Sequence, residues 1–293
     1  MSGLLMLLLG LVAGLACLFW LVKRPRTRKH GLERPTIEAS WVRARLKTLA
    51  EPSLLLVPTE TPKFSKLGGD PELPATISWP VDNGRSRSFL AQIDFAEAQA
   101  SGGATWLPPD GRLFVFYDPE KHGKFDVVTA IYSSDPSGKS LMAPSRTKHR
   151  FAEQRVEFKR VISAPSSGWL GVEHHIVHDD DPDGWEEIAN LVTAPIDDEM
   201  QHRIGGYPNE IQDAQMALTC ERAFRKLPDL VYERDVTPEL QQAADEWRLL
   251  IQIDSDPSLK MNWGDGGRLY AFIRKSDAHA RDFTKTVGIW QTY

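Results

Sequence analysis

The sequence predicts an α+β domain of mostly antiparallel sheets with short helices, built on an internal duplication of a β-rich unit and preceded by one N-terminal transmembrane helix. Three observations carry this prediction. Short apolar runs of strand length alternate with Gly- and Pro-rich turns and a few isolated helical patterns. Two pairs of stretches echo each other: FLAQID (Phe89–Asp94) with LLIQID (Leu249–Asp254), and DGRLFVFYD (Asp110–Asp118) with GGRLYAFIR (Gly266–Arg274). Finally, Gly3–Val22 carries no charge at all.

That apolar stretch spans roughly 30 Å as a helix, the thickness of a bilayer's hydrocarbon core. Trp20 sits at its end, and Lys23, Arg24, Arg26, Arg28 and Lys29 follow. A cleaved signal peptide has its basic residues before the apolar core, not after it. Leu15-Ala16-Cys17 loosely matches a lipoprotein cleavage site, but Gly14 is a poor residue three places before the cysteine. The expectation is an uncleaved anchor over residues 1–22, a basic juxtamembrane linker over 23–36, and a domain over 37–293. Positive charge after the span places that domain in the cytoplasm, at the inner (plasma) membrane. Each basic residue near anionic lipid contributes about 1 kcal/mol.

Residues 31–293 hold 30 Lys and Arg against 40 Asp and Glu. An acidic body argues against nucleic acid, which requires a positive field facing phosphate. Cys220 is alone in the body, since Cys17 lies in the apolar N-terminus, so no disulfide forms there. That fits a reducing compartment.

From Thr36 to Ala50 apolar residues fall at helical spacing, and Leu54–Val57 reads as a strand between Pro52 and Pro58. Lys63–Pro80, dense in Gly and Pro, reads as an ordered loop pinned by Trp79, with no central strand in it. Strands are expected at Phe89–Asp94, Arg112–Asp118, Phe125–Tyr132 and Arg155–Ser163, with one helical turn at Phe95–Ala100. Helical spacing returns at Trp185–Val192 and Gln212–Leu227, where Met216, Cys220 and Phe224 are four apart. Pro238 opens a further helix, since proline is suited to a first turn. Arg268–Ile273 and Val287–Thr292 are the last strands, around a short helix Ser276–Phe283 capped by Ser276. The echo divides the domain into related halves at about 37–165 and 166–293. Each strand pair has an apolar face that it cannot bury alone, so the halves pack as one unit.

Several stretches together resemble the YwqG-like family of bacterial proteins. They are SKLGGDPELP with SWP, FLAQID, LPPDGRLFVFYD, GGYPNEIQ (Gly205–Gln212), and LLIQIDSD with MNWGDGGRLYAFI. The resemblance covers roughly residues 37–293. It implies an α+β fold with an internal duplication, but no reaction, cofactor or catalytic residue. The N-terminal anchor departs from the family pattern.

Candidate chemistry is sparse. Asp179, Asp181, Asp183 and Gly184 open like a calcium loop, but Pro182 sits at the fourth position and Asn190 at the twelfth, where a bidentate Glu belongs. A solvated acidic loop is the expectation. His174, His175 and His178 precede it in a strand-like segment, where His174 and His178 are about 13 Å apart, too far to share an ion. Asp254, Asp256 and Asp265 flank one hairpin, and paired carboxylates can serve as acid and base. Gln92, Asp94, Gln252 and Asp254 are the duplicated polar positions, while Tyr207, Trp263 and Asp265 flank turns beside them. These seven form the candidate binding cleft. Gln and Asp at bends also satisfy backbone groups, and aromatic residues beside turns also plug cores. The chain has no G-x-S-x-G, P-loop, G-x-G-x-x-G or H-E-x-x-H motif, and Cys220 reads as a buried structural thiol. The expected function is a non-catalytic protein- or ligand-binding module, with a protein partner and no metal or cofactor. The alternative is a hydrolase using Asp254, Asp256 and Asp265, with or without a divalent cation.

Overall fold

Along Arg112–Tyr117 the side chains alternate between two faces, and both faces are buried. Leu113, Val115 and Tyr117 enter one apolar core, and Phe114 and Phe116 enter another. Leu269, Ala271 and Ile273 do the same against Tyr270 and Phe272. This is why RLFVFY and RLYAFI read as continuous apolar runs, the pattern of strands covered on both sides. The computed structural model describes residues 44, 46–121, 123, 125–166, 202–212, 215–227 and 236–293. The anchor and its linker, the His174–Asp183 region and the helix expected at Trp185–Val192 lie outside the described residues. Among the described residues no helix is long and apolar enough to cross a membrane.

In chain order the strands are β1 (Glu51–Pro58), β2 (Lys66–Leu67), β3 (Glu72–Leu73), β4 (Val81–Asp82), β5 (Arg85–Ser86), β6 (Ser88–Asp94), β7 (Arg112–Tyr117), β8 (Val128–Ser133), β9 (Lys139–Ser140), β10 (Gln154–Ser163), β11 (Arg203–Ile204), β12 (Trp247–Asp254), β13 (Arg268–Arg274) and β14 (Val287–Gln291). The helices are α1 (Phe95–Ala100), α2 (Met216–Arg225), α3 (Pro238–Ala244) and α4 (Lys275–His279). Ten strands make one antiparallel sheet in the order β14-β13-β12-β11-β1-β10-β2-β6-β7-β8. The two-stranded pairs β3–β9 and β4–β5 stand apart from it.

The order is symmetric about the long β1–β10 pair, and the register matches across it. Asp94 faces Arg112 as Asp254 faces Arg268, and Gln92 faces Phe114 as Gln252 faces Tyr270. Both β6 and β12 carry a bulge at the same place, skipping Leu90 and Leu250. A bulge turns two successive residues to one face, so Leu90 and Ala91 both enter the inner core, as do Leu250 and Ile251. A third match lies outside the two echoes read from the sequence. Lys66-Leu67 pairs with Gln92-Ala91 as Arg203-Ile204 pairs with Gln252-Ile251. Each two-residue strand runs into Gly-Gly-x-Pro, with both glycines at positive φ. A Cβ at Gly68 would lie 2.0 Å from the Ala152 carbonyl oxygen, and one at Gly206 would lie 2.2 Å from Ser163 Oγ.

The sheet rolls until its ends meet. Gly288 N–H of β14 donates to the Phe125 carbonyl at 2.8 Å, just before β8. The inner face thereby encloses one core fed by both halves, including Leu54, Leu56, Val115, Ile253, Leu269 and Trp263. On the outside, α2 and α3 cover Trp247, Leu249, Tyr270 and Phe272, while Trp79, Leu73 and Ala143 cover Phe89, Phe114 and Phe116. Caps hold the short helices. Asp94 accepts from Ala96 and Glu97 N–H, and Thr237 accepts from Leu240 N–H ahead of Pro238. Each such cap contributes about 1 kcal/mol.

Three expectations are corrected. The Lys63–Pro80 loop does contain an interior strand, because β2 is short enough to sit between β10 and β6 before Gly68 turns away. β8 begins at Val128 rather than Phe125, because Phe125 turns its carbonyl to Gly288. Ser276 lies inside α4 and does not cap it. The helix starts at Lys275, directly after β13, with Lys275 N–H bonded to the Glu246 carbonyl. It also ends before Phe283, which belongs to a separate 3₁₀ turn after Arg281 takes positive φ.

Candidate functional site

The duplicated Gln and Asp of the second half sit in a closed network. Gln252 is fully buried; its Oε1 accepts from Asn209 N–H at 2.9 Å and its Nε2 donates to Asp254 Oδ1 at 2.8 Å. Arg268 Nε donates to Asp254 Oδ2 at 3.1 Å. Arg268 Nη1 and the Tyr270 hydroxyl both donate to the Asn209 carbonyl, at 3.1 and 2.7 Å. Burial raises the Tyr270 hydroxyl well above its ordinary pKa. Arg203, buried beside them, is pushed down to about 10 by desolvation, with Arg268 adding to the drop and Asp254 opposing it. Both arginines remain cations at neutral pH, so the network works as internal scaffolding.

Asp256 belongs to a neighbouring turn. Its Oδ1 accepts from Ser258 N–H (2.8 Å), Ser258 Oγ (2.6 Å) and Leu259 N–H (3.3 Å), capping the 3₁₀ turn Pro257–Leu259. Asp254 N–H donates to His202 Nδ1 at 3.1 Å, which assigns the ring proton to Nε2, 3.4 Å from Asp256 Oδ2. The His202 contact, against the cost of burial and with help from Ser258, holds the Asp256 carboxyl well below the usual range. Ser, Asp and His are adjacent here, but Ser258 bonds the carboxylate and not the imidazole. No base therefore takes its proton, and the set is not wired as a nucleophilic triad. Asp265 is exposed, with its backbone N–H bonded to Thr292 Oγ1.

The remaining predicted residues are placed elsewhere. Gln92, fully buried, accepts from Glu72 N–H at 2.9 Å and donates to the Phe64 carbonyl at 2.7 Å. Asp94 caps α1 and lies 3.8 Å from Arg112. The Tyr207 hydroxyl donates to the Leu49 carbonyl at 3.0 Å. Trp263 is in the inner core, its ring 5.0 Å from Tyr117 and 5.7 Å from Phe151. The seven residues thus divide among separate networks. Cys220 is on the buried face of α2. Among the described residues no three His, Cys, Asp or Glu side chains are grouped to hold a metal ion.

A different place in the fold has the character of a site. One end of the rolled sheet is plugged by α1, α4 and the turn Phe283–Lys285. The Phe95 and Phe283 rings lie 5.9 Å apart, Tyr132 stacks on Phe283 at 5.4 Å, and Ala98 and Ala278 are fully buried. Beside this plug is a cleft of about 360 Å³. Its walls are Glu51 and Pro52 of β1, Ala104 to Trp106 after α1, and Lys275 and His279 of α4, so both halves contribute. Glu51 Oε1 accepts from Arg248 Nε at 3.0 Å. Glu51 Oε2 and Trp106 Nε1 are shut from bulk water and have no hydrogen-bond partner among the described residues. Both atoms lie behind the wall of the cleft rather than on it, and each such group costs about 1–3 kcal/mol when left unpaired. Sequence reasoning missed all of these side chains. The available signals were weak: a tryptophan before Pro108-Pro109, and Lys275 and His279 at i,i+4.

A family model described as "Domain of unknown function (DUF1963)" matches residues 65–292. No curated protein matches the chain.

Proposed function

The chain belongs to the DUF1963 family, and from that premise we propose a role read from its own site: a non-catalytic protein- or ligand-binding module, held at the inner (plasma) membrane by its N-terminal helix with the domain in the cytoplasm. The observation that carries the reading is the cleft at the plugged end, lined from both halves. The alternative, a hydrolase built on Asp254, Asp256 and Asp265, has less support. Both oxygens of Asp254 and of Asp256 are already engaged by protein groups. For the anchor, the support is the charge-free Gly3–Val22 and the basic cluster after it. We also infer an internal duplication of YwqG-like type from the matched registers, bulges and Gly-Gly-x-Pro turns on the two sides of β1–β10.

The test uses the full chain in detergent or nanodiscs. A library of small metabolites and short peptides is screened by thermal shift, with Trp106→Phe and Lys275→Met as controls. The reading holds if a ligand stabilises the wild type and both variants lose that response. It falls if the wild type turns over hydrolase substrates and Asp254→Asn abolishes the turnover. A reporter fused after Tyr293 that is active only outside the cytoplasm would refute the orientation.

A further inference from the structure

We propose that the strap Lys139–Arg150, which lies over the outer core of β6 and β7, docks the domain on an anionic lipid surface, with Leu141 and Met142 entering the headgroup region. The inference rests on the reading of Gly3–Val22 as a membrane anchor, which keeps a bilayer within reach of the domain.

The strap reads KSLMAPSRTKHR. It carries Lys139, Arg146, Lys148 and Arg150 and no Asp or Glu, although residues 31–293 hold 40 acids against 30 Lys and Arg. Its backbone is pinned. β9 pairs with β3, Leu141 N–H donates to the Pro71 carbonyl at 2.9 Å, and Ala143 N–H donates to Asp70 Oδ1 at 3.1 Å. The Ala143 side chain joins Leu73 and Trp79 in the outer core. Between and beside these pins, Met142 is 71% exposed and Leu141 43%. A backbone tied at 141 and 143 gives Met142 no route inward, so its exposure is fixed by the fold. Cations surround the pair. Arg150 Nη2 donates to the Ala143 carbonyl at 2.6 Å, which brings its guanidinium to the residue next to Met142. Lys139 is exposed two residues before Leu141, and Arg146 is exposed four residues after Met142. Lys139, Arg146 and Arg150 have no ion pair among the described residues. Lys148 does, with Glu120 at 2.9 Å. The carboxylates closest along the pinning strand are engaged: Glu72 accepts from Arg155 Nη2 at 3.1 Å, and Asp70 from Ala143.

Exposed aliphatic side chains beside unanswered cations call for a partner that is apolar and anionic at once. A lipid surface is both: its headgroups meet Lys139, Arg146 and Arg150, and the boundary of the acyl chains takes Met142 and Leu141. Nucleic acid would answer the cations and leave the two aliphatic side chains against phosphate and water. A neutral apolar groove on a protein would bury the cations without partners, at a heavy desolvation cost. Exposed apolar patches mark protein or membrane contacts, and the anchor favours the membrane here. Tethering makes docking an intramolecular event, so a weak contact suffices. Each Lys or Arg close to an anionic leaflet contributes about 1 kcal/mol, which is about fivefold in the ratio of docked to free domain.

The test uses the full chain with Cys17→Ser and Met142→Cys, labelled at residue 142 with an environment-sensitive fluorophore. Cys220 is fully buried, and the chain without the new cysteine sets the background. The labelled chain is placed in nanodiscs of phosphatidylcholine, alone or mixed with phosphatidylglycerol. A blue shift and quenching by a lipid-borne quencher are expected in the anionic discs only, and both should vanish in about 1 M salt. Lys139→Gln and Arg146→Gln should each lower the docked-to-free ratio about fivefold, with unchanged melting temperature. The same label at Asp265→Cys, on an exposed turn of the second half, should not respond. A label at 142 that reports water in both lipids overturns the proposal, as does a response equal in both or indifferent to both substitutions. A shift that needs no lipid and grows with protein concentration assigns this face to a protein contact and overturns it too. Retention in the neutral discs reports the anchor separately. A retained chain with a silent label leaves the anchor standing and removes the docking. If the chain is not retained, the anchor reading falls, and the same label with anionic vesicles added to the free chain decides the docking.

Discussion

Glu221 is a carboxylate on α2 with no exposed surface, and it ties that helix to the sheet. It accepts from Trp247 Nε1 at 2.8 Å, Arg274 Nη2 at 2.5 Å and Arg225 Nε at 2.5 Å. Glu221→Leu keeps the apolar contacts and removes all three acceptor roles. Trp247, also fully buried, is left with an unpaired N–H, worth about 1–3 kcal/mol. Arg274 loses its carboxylate while its guanidinium stays stacked on Phe224, 3.8 Å from the ring centroid, so it is not free to swing away. Breaking a buried ion pair costs about 3–5 kcal/mol. Arg274 and Arg225 retain some access to water, at 20% and 44% exposure, so the lower end applies and the expected loss is about 3 kcal/mol. For a domain of this size that is about 6–12 °C in melting temperature. Glu221→Gln, which keeps one acceptor, should lose about half as much. Burial opposes ionisation of Glu221, but the bonds from Trp247, Arg274 and Arg225 outweigh it and lower its pKa. Its contribution is therefore complete above the unfolded carboxyl pKa of about 4.3 and fades as pH falls below that. Urea unfolding followed by tryptophan fluorescence, repeated from pH 7 to pH 3, measures both effects. A Glu221→Leu protein within about 0.5 kcal/mol of wild type, the range of ordinary surface changes, would refute the reasoning, as would an unaltered acid limb.

Three further outcomes are expected. Asp254→Ala strands the buried Arg268 and should cost about 3–5 kcal/mol, whereas Asp265→Asn, on an exposed turn, should stay within about 0.5 kcal/mol; equal effects in chemical denaturation would contradict the two environments. Gly288→Val places a Cβ 2.8 Å from Val127 Cγ1 and 2.9 Å from Val128 N and should lose about 1–3 kcal/mol by overpacking; an unchanged denaturation midpoint would show that β14 does not abut the entry to β8. Asp256→Asn should weaken the turn at Pro257 and, because the Asp256 carboxyl is held low by His202 and Ser258, should remove stability that the wild type has above about pH 4 and loses as pH falls; parallel melting curves of the two proteins over that range would count against the assignment.

Much of the strand content was legible in advance. FLAQID, RLFVFY, LLIQID and RLYAFI are short apolar runs bounded by turn residues, and burial of both faces makes them stand out. The α3 helix announced itself through Thr237 and Pro238, whose cap and fixed φ act within one turn. β2 and β11 were not legible, because two residues have no period; the repeated Gly-Gly-x-Pro after them was the available signal. The candidate residues were legible as polar positions but not as a site. Gln92 and Gln252 spend hydrogen bonds on the loops beside them and Asp254 spends its own on Gln252 and Arg268, and a sequence does not show where a side chain's partners come from.

From the sequence alone follow the antiparallel α+β class, the echo between the halves and the acidic character of residues 31–293. These depend on side-chain alternation, turn chemistry and charge, which act over a few residues or simply add up. The tertiary structure decided that β14 closes on the entry to β8, that both bulges turn leucines inward, and that Glu51, Trp106, Lys275 and His279 share one cleft. Glu51, Trp106 and the Lys275–His279 pair are far apart in the chain and follow no shared local pattern. They meet because the inner face of the rolled sheet must be buried at its end, and the helices that plug it come from opposite halves.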